Sequence, residues 1–115
     1  MLGFTGALKV YVALEPADMR KSFNGLFALT RNTLGEDPRG GALFLFTNRS
    51  RNRLKILYWD GSGLWVMAKR LEKGSFAWPK GAPGEVKRQL NPETLVLLLN
   101  GVEVESARFR PWYSR

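Results

Sequence analysis

The sequence predicts an α+β domain: a small antiparallel β-meander, one longer N-terminal helix and a short C-terminal helix packed on it. Three observations carry this expectation. Within residues 43–79, three apolar runs rich in aromatic and aliphatic residues are separated by two turn-forming clusters, the pattern of successive half-buried strands. Upstream, apolar residues recur at three- and four-residue intervals over residues 19–34, as on one stripe of a helix. Downstream, Asn91-Pro92-Glu93 opens an aliphatic block that Gly101 stops; this supplies a cap, a first-turn proline and an acid at the positive end of the helix dipole.

Taken in order, residues 10–14 read as a short strand, ended by Pro16. Asp18 is placed to cap a helix reaching Leu34, with Met19, Phe23, Leu26, Phe27, Thr30 and Leu34 along its apolar stripe and Gly35 closing it. Burial of that stripe, Phe23 included, makes the helix structural. Arg20 and Lys21 then fall in its first turn, where positive charge opposes the macrodipole. Either an anion held by the free N–H groups relieves the conflict, or Asp18 and Glu15 balance the two cations. Residues 36–41 connect to the meander, whose runs are 43–46, 54–59 and 64–71. Residues 48–52 have the Asn/Ser chemistry of a hairpin tip, and Asp60-Gly61-Ser62-Gly63 tolerates the positive φ of a tight turn. A Gly/Pro loop and some irregular chain lead from Pro79 to Asn91. The five consecutive aliphatic residues 95–99 leave little polar face and call for a helix that is either wholly buried, the blander reading, or covered by a partner. A last strand over 102–106 and a basic aromatic tail over 105–115 complete the chain, so residues 1–104 read as a single domain.

Charge points to a partner. Lys and Arg outnumber Asp and Glu by 18 to 10, and residues 43–73 hold seven of the cations against only Asp60 and Glu72, so five of the eight net charges lie there. Arg49, Arg51, Arg53 and Lys55 occupy every second position, and wherever the backbone is extended they point to one side as a basic ridge. Lys69, Arg70 and Lys73 follow on the third run and its exit. Rings interleave with these cations. Tyr58 shares a face with Leu54 and Ile56, whereas Trp59 shares the other with Arg53 and Lys55, which makes Trp59 the better contact candidate. Cations beside exposed rings suit nucleic acid, where phosphate and base are both on offer. An anionic membrane fits less well, because no helix is basic on one face and apolar on the other.

Composition also excludes chemistry. Without histidine or cysteine the chain lacks the usual zinc ligands, a thiol nucleophile and any Ser-His-Asp arrangement. Its ten acids are scattered, with no pair and third partner at a spacing suited to two-metal DNA chemistry. We therefore expect no enzyme activity, no cofactor, no metal and no small-molecule substrate. The N-terminus lacks the basic start and unbroken apolar block of a secretory signal, and a cytoplasmic location is expected.

Four motifs, met in order, carry a resemblance: Asp18-Met19-Arg20-Lys21-Ser22-Phe23, then Asn48-Arg49-Ser50-Arg51-Asn52-Arg53-Leu54-Lys55, then Tyr58-Trp59-Asp60-Gly61, then Lys69-Arg70-Leu71-Glu72-Lys73-Gly74 with Phe76 and Trp78-Pro79 behind it. Over residues 10–101 the chain resembles the small accessory protein, TnpB or Orf2-like, of the insertion sequence 66 family of bacterial transposable elements. The resemblance implies a protein encoded beside the transposase and needed for transposition. Two non-catalytic roles follow. A DNA-binding factor would use Arg49, Arg51, Arg53, Lys55, Trp59, Lys69, Arg70 and Lys73, with Arg20 and Lys21 as a second anion contact. An interaction subunit would instead bind the transposase or another element-encoded protein through the aromatic strand faces and the tail. The charge favours the first.

Overall fold

Strands β1 (Val10–Ala13), β2 (Leu43–Thr47), β3 (Arg53–Trp59), β4 (Leu64–Arg70) and β5 (Lys87–Leu90) form one sheet in the computed structural model, which describes residues 8–101. Their order across it is β4-β3-β2-β1-β5. β2, β3 and β4 pair antiparallel, as the meander requires, with Leu45 opposite Ile56 and Ile56 opposite Met67. β1 runs parallel to β2, and β5 antiparallel to β1.

The fold is therefore a mostly β domain built on a mixed sheet, which corrects the expected antiparallel sheet with a long N-terminal helix. α1 spans only Phe23–Ala28, extended by a π-helical turn at Leu29–Thr33. Asp18 does not cap it. The Asp18 carboxylate instead closes a turn by accepting the Arg20 N–H at 2.9 Å, and Lys21 N–H donates to the Asp18 carbonyl at 3.1 Å. The first helical bond is Leu26 N–H to the Ser22 carbonyl, 2.8 Å. A short polar side chain that satisfies a nearby N–H competes with helix, and here the turn wins. The stripe survives in part: Leu26, Thr30 and Leu34 are buried, whereas Phe23 stays 47% exposed. Thr30 Oγ1 donates to the Leu26 carbonyl at 2.8 Å, and Leu34 N–H reaches back five residues to the Leu29 carbonyl. Gly35 ends the helix at φ 68°, as expected.

β5 corrects the irregular chain expected before Asn91. Its sequence, Lys-Arg-Gln-Leu, has no apolar alternation to read; what makes it a strand is the free edge of β1, whose N–H and C=O groups it pairs. α2 (Pro92–Asn100) begins as the sequence predicts, with the Asn91 side chain accepting the Thr94 N–H at 2.7 Å. It is not wholly buried. Leu95 and Leu98 are buried, while Val96 and Leu97 are 59% and 53% exposed. The strand expected at 102–106 and the tail lie outside the described residues.

Both sheet faces are covered over the central strands. On one, Val10, Val12, Leu43, Leu45, Leu54, Ile56 and Tyr58 pack under Phe76, Trp78, Leu95 and Leu98. On the other, Ala13, Phe44, Phe46 and Leu57 pack under Leu26 and Leu34. Every residue of β2 is buried as a result, which is why its sequence is a continuous apolar run rather than an alternation. No helix of the described residues is long and apolar enough to cross a membrane.

Candidate nucleic-acid interface

The basic ridge is broken at its tip. β3 starts at Arg53, so residues 48–52 form a closed turn, held by the Asn48 Oδ1, which accepts Asn52 N–H at 3.0 Å and Arg53 N–H at 3.2 Å, and by Asn48 Nδ2 donating to Asn52 Oδ1 at 2.8 Å. Arg51 takes a left-handed φ of 57°, which is uncommon outside glycine and asparagine. Its guanidinium turns inward to the Trp78 carbonyl at 3.2 Å, and its own carbonyl accepts Phe76 N–H at 2.7 Å. Arg51 thus anchors the 71–78 segment to the hairpin. Arg49 remains exposed at the tip and makes no ion pair among the described residues.

Arg53 and Lys55 do share a face, and the antiparallel register sets Arg70 directly opposite Arg53. Two cations facing each other across adjacent strands repel. Neither arginine has an acidic partner among the described residues. Beside them lies an open hollow of about 330 Å³ lined by Met19, Arg53, Leu54, Lys55, Ala68, Lys69 and Arg70. Lys55 Nζ donates to the Lys21 carbonyl at 2.7 Å, which brings residues 19–21 alongside the hollow. The aliphatic stem of Lys21 lies over Gly25, where an added Cβ would come within 2.9 Å of it.

Other expected contacts lie apart from this cluster. Lys69 lines the hollow, but its ammonium reaches the opposite face of the sheet, where it donates to the Leu99 carbonyl at 2.7 Å. Arg20 precedes α1 and forms a forked pair with Asp18, Nη2 to Oδ2 at 2.7 Å and Nε to Oδ1 at 3.0 Å. Hydrogen bonds from Arg20 hold the Asp18 carboxyl well below the usual carboxylate range. Trp59 is six positions along β3 from Arg53, about 20 Å at strand rise. Arg39 sits over its ring at 5.6 Å and over Phe27 at 5.3 Å, with Arg31 on Phe27 as well. Sequence reading missed this cation–π group because Phe27, Arg39 and Trp59 are far apart in the chain and carry no shared motif. It also gave Met19 only a core role. Lys73 is exposed in the turn after β4. Among the described residues, no three His, Cys, Asp or Glu side chains gather as metal ligands would.

The pattern of a transposition-associated family matches the chain. The family described as "IS66 Orf2 like protein" covers residues 8–109, and this protein belongs to it. Two relatives from Sinorhizobium fredii bear the printed names "Uncharacterized protein y4jC" and "Uncharacterized protein y4hO". The first is 36% identical over 96% of this chain and 93% of its own length; the second is 34% identical over 84% and 82%. No solved structure matches.

Proposed function

We propose that this insertion-sequence protein is a non-catalytic accessory factor of transposition that binds DNA, with Arg53, Arg70 and Lys55 as the centre of the contact and Arg49 at its tip. The observation that carries this reading is the Arg53–Arg70 pair. The fold sets two cations opposite each other on one sheet face, and neither has an acidic partner among the described residues, an arrangement that a phosphate backbone would relieve. Lys55 stands on the same face, two residues from Arg53. Arg20 contributes less in this reading because Asp18 already occupies its fork.

Salt titration of binding to a short duplex tests the proposal. If about four phosphates are neutralised, log affinity should fall against log salt with a slope near −3.6. The Arg53→Ala, Arg70→Ala double variant should flatten that slope by about 1.8. It should keep its melting temperature, since it removes a repulsive exposed pair. Unchanged affinity and slope in the folded variant would sink the assignment. Arg51 is the wrong residue for this purpose, because its loss would also release the Trp78 segment.

A further inference from the structure

We infer that the outer edge of β4 is a self-pairing seam, joining two copies of this chain into an antiparallel dimer with a two-fold axis at Met67. The two edges of the sheet differ in kind. β5 carries Lys87, Arg88 and Gln89, the charged dress that keeps strand edges from pairing. β4 instead presents Leu64, Trp65, Val66, Met67 and Ala68 in a row. Trp65 and Met67 are 45% and 41% exposed. Beside Met67 is a hollow of about 200 Å³ whose walls are mostly apolar, from Leu54, Ile56, Ala68 and Leu99, with Lys69 at its side. Exposed Val96 lies one turn before Leu99 on the same flank of α2, which widens the apolar strip.

Backbone phase and charge select the occupant and its register. Asp60 N–H bonds Gly63 C=O at one end of the β3–β4 ladder, and Leu71 N–H bonds Asn52 C=O at the other. Bonded pairs alternate between these, so Trp65, Met67 and Lys69 turn their N–H and C=O toward β3. Leu64, Val66, Ala68 and Arg70 turn theirs outward. A second β4, antiparallel and centred on Met67, matches this phase and pairs all seven residues: Leu64 with Arg70, Trp65 with Lys69, Val66 with Ala68 and Met67 with itself. No two cations then oppose each other. The ends also match in charge. The Asp60 turn, whose carboxylate holds Trp65 Nε1 at 2.9 Å, stands at the start of β4. Lys69 and Arg70 stand at its finish, so antiparallel pairing brings acid and ring to cation in both halves.

Sedimentation of the full chain tests this seam independently of any DNA contact. The expected species has twice the 13.0 kDa of one chain, and it should strengthen with salt, which screens the +8 charge that the copies share; DNA binding should weaken. Met67→Lys should weaken self-association by at least about tenfold, by setting two cations face to face at the axis. The chain has no cysteine, so Met67→Cys should cross-link to itself under mild oxidation while Gln89→Cys on the β5 edge should not. A wild-type chain that stays monomeric at every concentration, or equal cross-linking at both edges, would overturn the inference and leave the apolar strip to another element-encoded protein.

Discussion

The two faces of the sheet are closed by different means. α1 and its π turn cover one with regular structure, setting Leu26 and Leu34 on Phe44, Phe46 and Leu57. The other is closed by Phe76 and Trp78, from a stretch with almost no regular structure, together with α2. That irregular cover is fixed by specific bonds: Phe76 N–H to the Arg51 carbonyl, the Arg51 guanidinium to the Trp78 carbonyl, and the Trp78 indole N–H to the Ala13 carbonyl at 2.8 Å. A ring can thus contribute to a core without a helix or strand to carry it, provided its backbone is tied to a neighbouring turn. The tie also links the basic hairpin to the core, since Arg51 belongs to both.

The irregular cover depends most on Phe76. Its ring is buried at 2% exposure, so Phe76→Ala should cost about 3–5 kcal/mol in denaturant melts. A loss below about 1 kcal/mol would mean that α2 alone closes that face. Phe23 sharpens the contrast from the other side. It would have matched Phe76 had the stripe been buried throughout, but with nearly half its surface in solvent, Phe23→Ala should cost less than about 1 kcal/mol. A loss above about 3 kcal/mol would restore the longer helix.

The smallest effect concerns the rim where Trp65 meets solvent. The Asp60 carboxylate accepts from Trp65 Nε1, from the Ser62 N–H and hydroxyl and from the Gly63 N–H, which keep its pKa well below the ordinary carboxylate range. A folded-state pKa below the unfolded one stabilises the fold at pH above the ordinary aspartate value near 4. That contribution is lost progressively as pH falls from there through the lower folded-state pKa. The melting temperature of Asp60→Asn should therefore lie below wild type at neutral pH and converge on it in acid. A gap that persists unchanged below about pH 3 would assign the effect to turn geometry rather than charge.

Much of this was legible because it was local. The three meander runs, the Asn91-Pro92 helix start, the Gly35 stop and the separation of Tyr58 from Trp59 all follow from residues within a few positions of one another. The four ordered motifs sufficed to place the chain in its family. The ridge failed where local reasoning assumed an extended backbone: Asn48 and Asn52 close a turn, and Arg51 leaves the row. β5 failed for the converse reason, being a strand only because β1 offers it hydrogen bonds.

The apolar periodicities, the capping chemistry, the excess of positive charge and the absence of histidine and cysteine could all be read from the chain before any fold, since each depends on residue type and short spacing alone. The tertiary structure decided which cations meet. Arg53 and Arg70 are seventeen positions apart in the chain, and only the β3–β4 register makes them neighbours. It likewise turned the Lys69 ammonium to the opposite face and withdrew Arg51 into the core's support. Register is set by the burial of Leu54, Ile56 and Leu57 against two different covers, and a slip of one residue would exchange the faces of the whole strand.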